Sequence, residues 1–151
     1  MRKNKINIPT PSCFQTSLTV QIGDINYGGH VGNERYLLYA QETRLRFLAT
    51  IGHSEMKFGA HGLVLAEATL EYFHELFFRD QITIQLSIGN IGRASFGCYY
   101  SIQVERDNQT LTAAEIETKM VCFDYDQRKV KSISDELRAV LEDCGKGNQL
   151  S

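Results

Sequence analysis

A short segment of this chain, DINYGGHVGNERY between Asp24 and Tyr36, concentrates residue types that can do chemistry. It holds one imidazole, two side-chain amides and three glycines, immediately before the longest helical pattern in the sequence. Glycines let a backbone approach a ligand closely, and the first N–H groups of a helix have no partner within that helix. Because those groups lie at the positive end of the helix dipole, the segment predicts a site for an anion or a developing oxyanion. A plain turn before a helix is the alternative interpretation.

Two residues of the segment have a more specific chemical reason to be there. Asn33 is a preferred N-cap type, so we expect it to begin the helix. An imidazole transfers protons readily near neutral pH, which makes His30 a candidate acid or base. A histidine that only fixes the turn by hydrogen bonding is an equally good interpretation. The glycine-rich patterns of nucleotide-binding loops are absent from the sequence, so a nucleotide site is not supported.

Composition and charge exclude several kinds of partner. The chain has 151 residues, 16 Lys and Arg against 18 Asp and Glu, and a net charge of -2. Its densest basic cluster, RKVK from Arg128 to Lys131, is typical of a solvated turn, so we expect no nucleic-acid partner. No run approaches the roughly 20 apolar residues of a membrane span. The charged and polar first residues predict no signal peptide.

The cysteines and histidines show no metal-binding or redox pattern. The four cysteines lie far apart, at positions 13, 98, 122 and 144, and the histidines have no ligand spacing. We therefore expect neither a metal nor an organic cofactor. Scattered thiols of this kind are typical of reduced cysteines, so we expect a cytoplasmic protein.

Periodicity along the chain predicts the elements that must position the motif. Alternation of apolar and polar residues predicts strands over 16–22, 63–76, 81–88, 96–105 and 111–124. The residues DNQT at 107–110 predict a hairpin turn. Apolar residues at helical intervals predict one long, mostly buried helix over 33–51, and Ser134 is expected to cap a short helix over 134–141. One antiparallel sheet that curves around one long helix follows from this order.

No linker or change of composition interrupts the middle of the chain. We therefore expect a single domain over 15–142. The segments 1–14 and 143–151 are expected to be flexible ends.

The segment DINYGGHVGNERYLLY resembles the signature of the hotdog-fold acyl-CoA thioesterases of the 4-hydroxybenzoyl-CoA thioesterase type. The family pattern is roughly D-x-D-x-x-G-H-V-N-N-x-x-Y, leading into a long helix. The matching residues are Asp24, Gly29, His30, Val31, Asn33 and Tyr36. The resemblance implies an α+β hotdog fold, with sites for acyl-CoA or acyl-carrier-protein thioesters between subunits. It also implies a homodimer or homotetramer and no cofactor.

Three positions depart from that family pattern. The position of the usual catalytic carboxylate holds Asn26, the second acidic position holds Gln41, and the first Asn of the N-N pair is Gly32. An amide neither attacks a thioester nor takes a proton from water effectively. Three interpretations stay open: Asn26 holds water or the acyl carbonyl while other groups complete hydrolysis, a different acid has taken over, or the pocket binds acyl thioesters without cleaving them.

The remaining acidic residues do not single out a replacement. Glu42 is expected to pair with Arg46 on the helix surface, four residues away. Asp24 matches a family position that is more often a structural turn residue. Glu67 and Glu71 fall on the strand face away from the helix, towards solvent or a second dimer. The sequence therefore nominates no general base among its carboxylates.

Two arginines also have predicted roles, one in a buried ion pair and one in substrate binding. Arg44 falls in the buried arc of the helix, where its charge must be paired, and Asp24 or Glu67 is the expected partner. Arg93 precedes a strand at a position where relatives often carry basic residues for the CoA phosphates. A lone exposed arginine that is merely solvated is the alternative for Arg93.

Together these observations predict an acyl-CoA thioesterase-like hydrolase. The expected catalytic residues are Asn26, His30 and Asn33. The expected substrate-binding residues are Gly29, Gly32, Gln41 and Arg93. The oxyanion is expected on N–H groups near Gly32 and Asn33. A non-catalytic acyl-thioester binding protein is the alternative, and a hotdog hydratase is less favoured because no acid–base pair stands out on the helix.

Overall fold

The computed structural model describes residues 5–146, which form a sheet with two helices. The elements in chain order are β1 (Phe14–Thr19), a 3₁₀ turn (Ile22–Asp24), α1 (Arg35–Thr50), β2 (Gly62–Tyr72), β3 (Gln81–Gly89), β4 (Ser95–Arg106), β5 (Gln109–Asp124), β6 (Lys129–Val130) and α2 (Asp135–Gly145). The strands β1 to β5 occur near the ranges that alternation predicts, but β1 ends at Thr19, before the predicted 22, and β2 ends at Tyr72, before the predicted 76. Residues 1–4 and 147–151, which belong to the predicted flexible ends, lie outside the described residues.

All strand pairs in the sheet are antiparallel, in the order β1-β3-β4-β5-β2, with β6 added to β5. The hairpin between β4 and β5 turns at Asp107 and Asn108, whose φ angles are 51° and 63°. Two successive residues with positive φ are typical of a turn that matches the right-handed twist of its strands. The predicted hairpin at 107–110 is confirmed.

The helix α1 buries one face against the sheet and exposes the other. Tyr36, Ala40, Phe47 and Leu48 are at most 3% exposed, and α1 contacts β1, β3 and β5. These are the residues that the helical period places in one arc. An antiparallel sheet with this helix packed on it is the predicted hotdog arrangement.

The two ends of the described chain are joined by a disulfide. Cys13 and Cys144 are bonded across a sequence separation of 131, with Cα atoms 5.2 Å apart. The expectation of reduced thiols is therefore wrong for this pair, because sequence spacing does not reveal cysteines that the fold brings together. Cys98 and Cys122 are free and buried. The helix α2 that carries Cys144 begins as predicted, with the Ser134 hydroxyl accepting a hydrogen bond from the N–H of Leu137 at 3.2 Å.

Residues before β1 pack across the face of the sheet that points away from α1. Ile6 is 3% exposed, and the N–H of Lys5 donates to Glu71 at 3.2 Å. Glu71 is only 4% exposed, so its expected exposure to solvent or a second dimer is wrong. The physical reason is that this N-terminal segment covers the end of β2. The division into a domain at 15–142 with flexible ends stays a prediction.

Two further findings concern the described part of the chain. No helix within residues 5–146 is long and apolar enough to cross a bilayer. Within the same range, no three His, Cys, Asp or Glu side chains cluster as the ligands of a metal would.

Candidate functional site

The segment from Asp24 to Glu34, called the motif loop below, folds back on itself. The N–H of Asn26 donates to the carbonyl of His30 at 2.9 Å, and the N–H of Gly29 donates to the carbonyl of Asn26 at 3.1 Å. Gly29 has a φ of 82°, a conformation that suits glycine. The tight turn therefore brings Asn26 and His30 next to each other.

Asp24 stabilises the start of the motif loop. One carboxylate oxygen accepts hydrogen bonds from the N–H of Gln21 and the phenol of Tyr39, each at 2.9 Å. Burial, followed by the contact with Asp24, raises the pKa of Tyr39 well above its ordinary value, so the phenol stays protonated and donates. Asp24 therefore makes the contacts of a structural turn residue.

The side chains of Asn26 and His30 converge on one small space. A methyl group built on Gly28 would lie 3.1 Å from His30 Nε2 and 3.3 Å from Asn26 Oδ1. Asn26 Oδ1 accepts a hydrogen bond from the N–H of Gly28 at 2.9 Å. Since an N–H only donates, the oxygen of the amide must face the loop. The NH₂ group of Asn26 then remains as a donor for a ligand.

The tautomer of His30 follows from its contact with the backbone. Nδ1 lies 3.1 Å from the carbonyl oxygen of Val31. A carbonyl oxygen only accepts, so Nδ1 carries the proton, and Nε2 of the neutral ring presents a lone pair. Nε2 also lies 3.9 Å from a carboxylate oxygen of Glu75, and the two side chains are 30% and 63% exposed. In its neutral form, His30 thus presents the lone pair of Nε2 in a partly open site.

The start of α1 differs from the sequence-based expectation. The N-cap is Glu34 and the helix begins at Arg35, so the prediction that Asn33 caps the helix is wrong. The N–H of Gly32 is already used, because it donates to the carbonyl of Asp24 at 3.1 Å. Gly32 is therefore not a free oxyanion donor. Among residues 5–146, the N–H groups of Asn33 and Glu34 donate to no backbone carbonyl, so they are two of the donors that stay free at the helix start.

The helix start is fastened to the far end of β2. The hydroxyl of Tyr72 donates to the carbonyl of Asn33 at 3.0 Å, and the rings of Tyr36 and Tyr72 meet edge to face at 5.0 Å. The N–H of Val31 donates to the carbonyl of Leu76 at 2.8 Å, in the loop after β2. The motif loop is thus held against the 73–80 loop, and its polar groups have a fixed place at one end of the sheet.

A cavity of about 600 Å³ lies beside this site, between β1 and the exposed side of α1. Gln41 lines it together with Asp24, and the apolar part of the lining includes Leu38 and Leu45. Those two leucines are 46% and 40% exposed. The lining contains neither Asn26 nor His30. Asp24 therefore links the cavity to the motif loop, whereas Gln41 lies further along the cavity.

Arg93 lies at the opposite end of the same sheet. Through the strand register, Ser95 is paired with Val121, which is paired with Val64 near the beginning of β2. The motif loop contacts the other end of β2, and an 11-residue strand is roughly 35 Å long. Arg93 itself donates to the hydroxyl of Ser132. Within one chain, the structure does not bring Arg93 to His30.

The buried arginine of α1 is paired with different residues from those expected. Arg44 is 3% exposed, and its Nε donates to Glu55 at 2.5 Å. Its NH1 donates to the hydroxyl of Tyr100 at 2.8 Å, which is in turn 3.1 Å from the Thr118 hydroxyl. Neither Asp24 nor Glu67 is its partner. The reason is that the loop after α1 turns back beneath the helix and brings Glu55 to it. By contrast, the predicted surface pair of Glu42 and Arg46 is confirmed, at 2.5 Å.

Sequence reasoning also missed Glu75 beside His30. Glu75 follows β2 in the run HELFFRD, and no spacing rule connects it with the motif loop. The one available signal was the turn-forming Asp80 that closes this loop, where its carboxylate accepts from the N–H of Phe77 at 2.8 Å. That signal predicts a loop after β2, but it does not predict that this loop contacts the motif loop.

Comparison with known proteins gives a family to this arrangement. The family model of the thioesterase-like superfamily matches residues 20–141. The chain belongs to this superfamily. The match covers the motif loop, α1, β2 to β6 and most of α2. Comparison of the sequence with curated proteins found no match.

Solved structures show that this member of the thioesterase-like superfamily has the hotdog fold of its relatives. A protein of Staphylococcus aureus, solved in complex with CoA, is 18% identical with a TM-score of 0.79, and the match covers 96% of this chain and 90% of that one. A 1,4-dihydroxy-2-naphthoyl-CoA thioesterase from Synechocystis is 21% identical with a TM-score of 0.74, covering 86% and 96%. A hypothetical protein from Aquifex aeolicus is 28% identical with a TM-score of 0.73, covering 85% and 98%.

Proposed function

We propose that this protein hydrolyses the thioester of a small acyl-CoA. The observation that carries the proposal is the convergence of the Asn26 amide and the lone pair of His30 Nε2, a few residues before the unpaired N–H groups of the helix start. A donor, an acceptor and two backbone N–H groups are what the addition of water to a carbonyl needs. Structures of similar fold support CoA as the carrier, since one was solved with CoA and another with 4-hydroxybenzoyl-CoA.

Each group has a defined part in this proposal. The N–H groups of Asn33 and Glu34 bind the thioester oxygen, and they gain most when that oxygen becomes negative. The NH₂ group of Asn26 adds a third donor. His30 accepts a proton from water through Nε2. Gly29 keeps the approach open, because nothing lies within 4 Å of where its side chain would be.

The rest of the substrate would lie beyond the motif loop. The cavity between β1 and α1 supplies an apolar wall and the Gln41 amide, which suits an acyl group with a polar substituent. The CoA phosphates need a cation, and Arg93 reaches them only from another subunit. Edge-to-edge antiparallel pairing of β2 in two copies would place the beginning of one β2 beside the end of the other. Arg93 of one copy would then lie near the motif loop of the next.

Such a homodimer is part of the proposal, and a homotetramer remains an extension of it. The edge strand β2 has 11 residues and exposes Leu65 and Tyr72, at 45% and 40%. Exposed edges of this kind tend to pair with another strand. Light scattering on the purified protein should give the mass of a dimer or tetramer, and a monomer at micromolar concentration would exclude the shared site. We keep residues 15–142 as the proposed domain. The cytoplasm stays a prediction, and the bond between Cys13 and Cys144 argues against it because disulfides are rare there.

A non-catalytic acyl-thioester binding protein is the second candidate. It is favoured by the amides at Asn26 and Gln41, where relatives of the resembled family carry acids. A binding protein should show micromolar affinity for acyl-CoA in calorimetry, with no release of thiol over hours.

The deciding experiment is a thiol-release assay over aliphatic and aromatic acyl-CoAs, with acyl-carrier-protein thioesters as a second panel. We expect turnover on at least one substrate, and loss of that turnover in His30→Gln. A wild type that binds a substrate without releasing thiol would show that the second candidate is right.

A further inference from the structure

We propose that Glu75, a residue outside the motif loop, forms with His30 the base that activates the attacking water. This inference rests on the proposed thioesterase activity and names the carboxylate that the site at Asn26 lacks. Glu75 is the acidic side chain that lies beside the free nitrogen of His30, at 3.9 Å. It would be a catalytic residue because it contacts the water itself.

The separation of the two groups suits one water molecule. With Nδ1 donating to Val31, both His30 Nε2 and the Glu75 carboxylate are acceptors, and two acceptors have no direct hydrogen bond to make. A water at normal hydrogen-bond distance from both, about 2.8 Å, fits between atoms 3.9 Å apart. It would donate one O–H to each and direct a lone pair of its oxygen away from them. That is the orientation an attacking water needs.

The backbone places Glu75 firmly although its carboxylate is exposed. The next residue, Leu76, accepts a hydrogen bond from Val31, the residue after His30, so the two side chains are neighbours by register. The carbonyl of Glu75 accepts from Arg106 at 2.5 Å, and the same guanidinium is 2.7 Å from Asp80. Asp80 in turn closes the 73–80 loop. The main chain on both sides of Glu75 is therefore held, whereas its carboxylate is 63% exposed and accessible to water.

The other carboxylates near the motif loop are committed elsewhere. Asp24 is engaged by Tyr39 and the turn. Glu34 lies against Gly32 and approaches Arg35 at 3.9 Å. Glu115 lies on the face of the sheet that points away from α1. Among residues 5–146, Glu75 is the acidic residue whose carboxylate pairs with Nε2 of His30 within 4.0 Å.

The step balances without any further reactant. One O–H bond of water breaks, its proton passes to His30 Nε2, and the water oxygen forms a bond to the thioester carbon while the carbonyl electron pair moves to oxygen. Glu75 accepts a hydrogen bond from the second O–H of the water, and its negative charge stabilises the imidazolium. When the intermediate collapses, the C–S bond breaks, and the proton on Nε2 passes to the thiolate sulfur. The products are a carboxylic acid and a thiol.

The test compares Glu75→Gln with wild type and with Glu105→Gln, which removes the same charge from an exposed site on β4. The glutamine keeps the size of the side chain and leaves the backbone bond to Arg106 intact. We expect kcat to fall roughly 100-fold in Glu75→Gln, with KM within about threefold. Glu75→Asp should recover part of the rate. Glu105→Gln should match wild type in all of these.

A second measurement does not depend on turnover. The ¹⁵N signals of His30 should show a protonated Nδ1 and an unprotonated Nε2 in the neutral ring, and Glu75→Gln should shift the Nε2 signal because an amide N–H replaces an acceptor. An active wild type whose Glu75→Gln variant keeps its kcat would overturn the inference and leave the proposed function standing. A wild type that releases no thiol from any substrate would overturn both.

Discussion

Two polar clusters lie along the same helix and differ in how completely their groups are bonded. At the start of α1, several groups keep donors or acceptors that are not hydrogen-bonded. They are the NH₂ group of Asn26, Nε2 of His30 and two backbone N–H groups. In the middle of α1, the guanidinium of Arg44 is 3% exposed and is bonded to Glu55 and Tyr100. The first cluster can take up a ligand, whereas the second can only hold the fold in one arrangement.

Burial also fixes the protonation of the groups around Arg44. Burial raises the pKa of Tyr100 far above its ordinary value, so this hydroxyl stays protonated at any working pH. Burial also raises the pKa of Cys98, beside the same network, to about 12. The thiolate form of Cys98 is therefore not accessible as a nucleophile. The groups around Arg44 therefore make the contacts of a structural cluster.

The largest expected effect on stability comes from breaking the buried cluster. Arg44→Met removes the cation and leaves Glu55 and Tyr100 without their partner, so we expect the free energy of unfolding in urea to fall by roughly 3 kcal/mol, the low end for a broken buried pair because Glu55 is partly exposed. The matched control is Glu42→Gln on the same helix, which removes the charge from a pair with Arg46 that is about half exposed. That change should cost under about 0.5 kcal/mol. Equal effects of the two substitutions would erase the distinction between the clusters.

For the cluster at the start of α1, we expect a substitution to change the rate and not the stability. Asn26→Ala should lower kcat on the best substrate by roughly 10²-fold, because an oriented donor is lost, while the unfolding midpoint stays near that of wild type. Asn26→Asp sharpens the result: a higher rate would show that a carboxylate at this position adds to the existing base. An Asn26→Ala variant with wild-type kcat would exclude Asn26 from the reaction.

A smaller effect is expected from the turn that brings Asn26 and His30 together. Gly29 has positive φ and open space around it, so Gly29→Ala meets no clash and costs only the left-handed conformation, about 1 kcal/mol. Gly23→Ala, equally open but without positive φ, is the control and should be neutral. Thermal unfolding of both variants measures the difference. A Gly29→Ala variant as stable as Gly23→Ala would mean that the turn relaxes into another shape.

The sequence predicted what depends on local pattern. Alternation placed β4 and β5 and the turn at Asp107 and Asn108 between them, and a serine hydroxyl placed the start of α2. These features depend on neighbours two to four residues away, which periodicity and capping rules describe directly.

What the sequence did not predict depends on contacts between distant segments. Glu75 meets His30 only because Val31 bonds to Leu76, and Glu55 meets Arg44 only because a loop turns back beneath the helix. Neither pairing leaves a periodic trace. The prediction that Asn33 caps α1 failed for a related reason. The N–H of Gly32 donates to Asp24 within the motif loop, and the helix begins only at Arg35. Contacts between loops, and not the motif alone, therefore decide which side chains meet in the candidate site.

The bond between Cys13 and Cys144 makes the folded part of the chain a covalent ring. A single cut in that ring opens it but does not divide it. Lys57 lies exposed between α1 and β2, so trypsin cleavage there should give a nicked molecule that runs as one species without reductant and as two fragments with it. A Cys144→Ser variant should separate into two fragments in denaturant under both conditions.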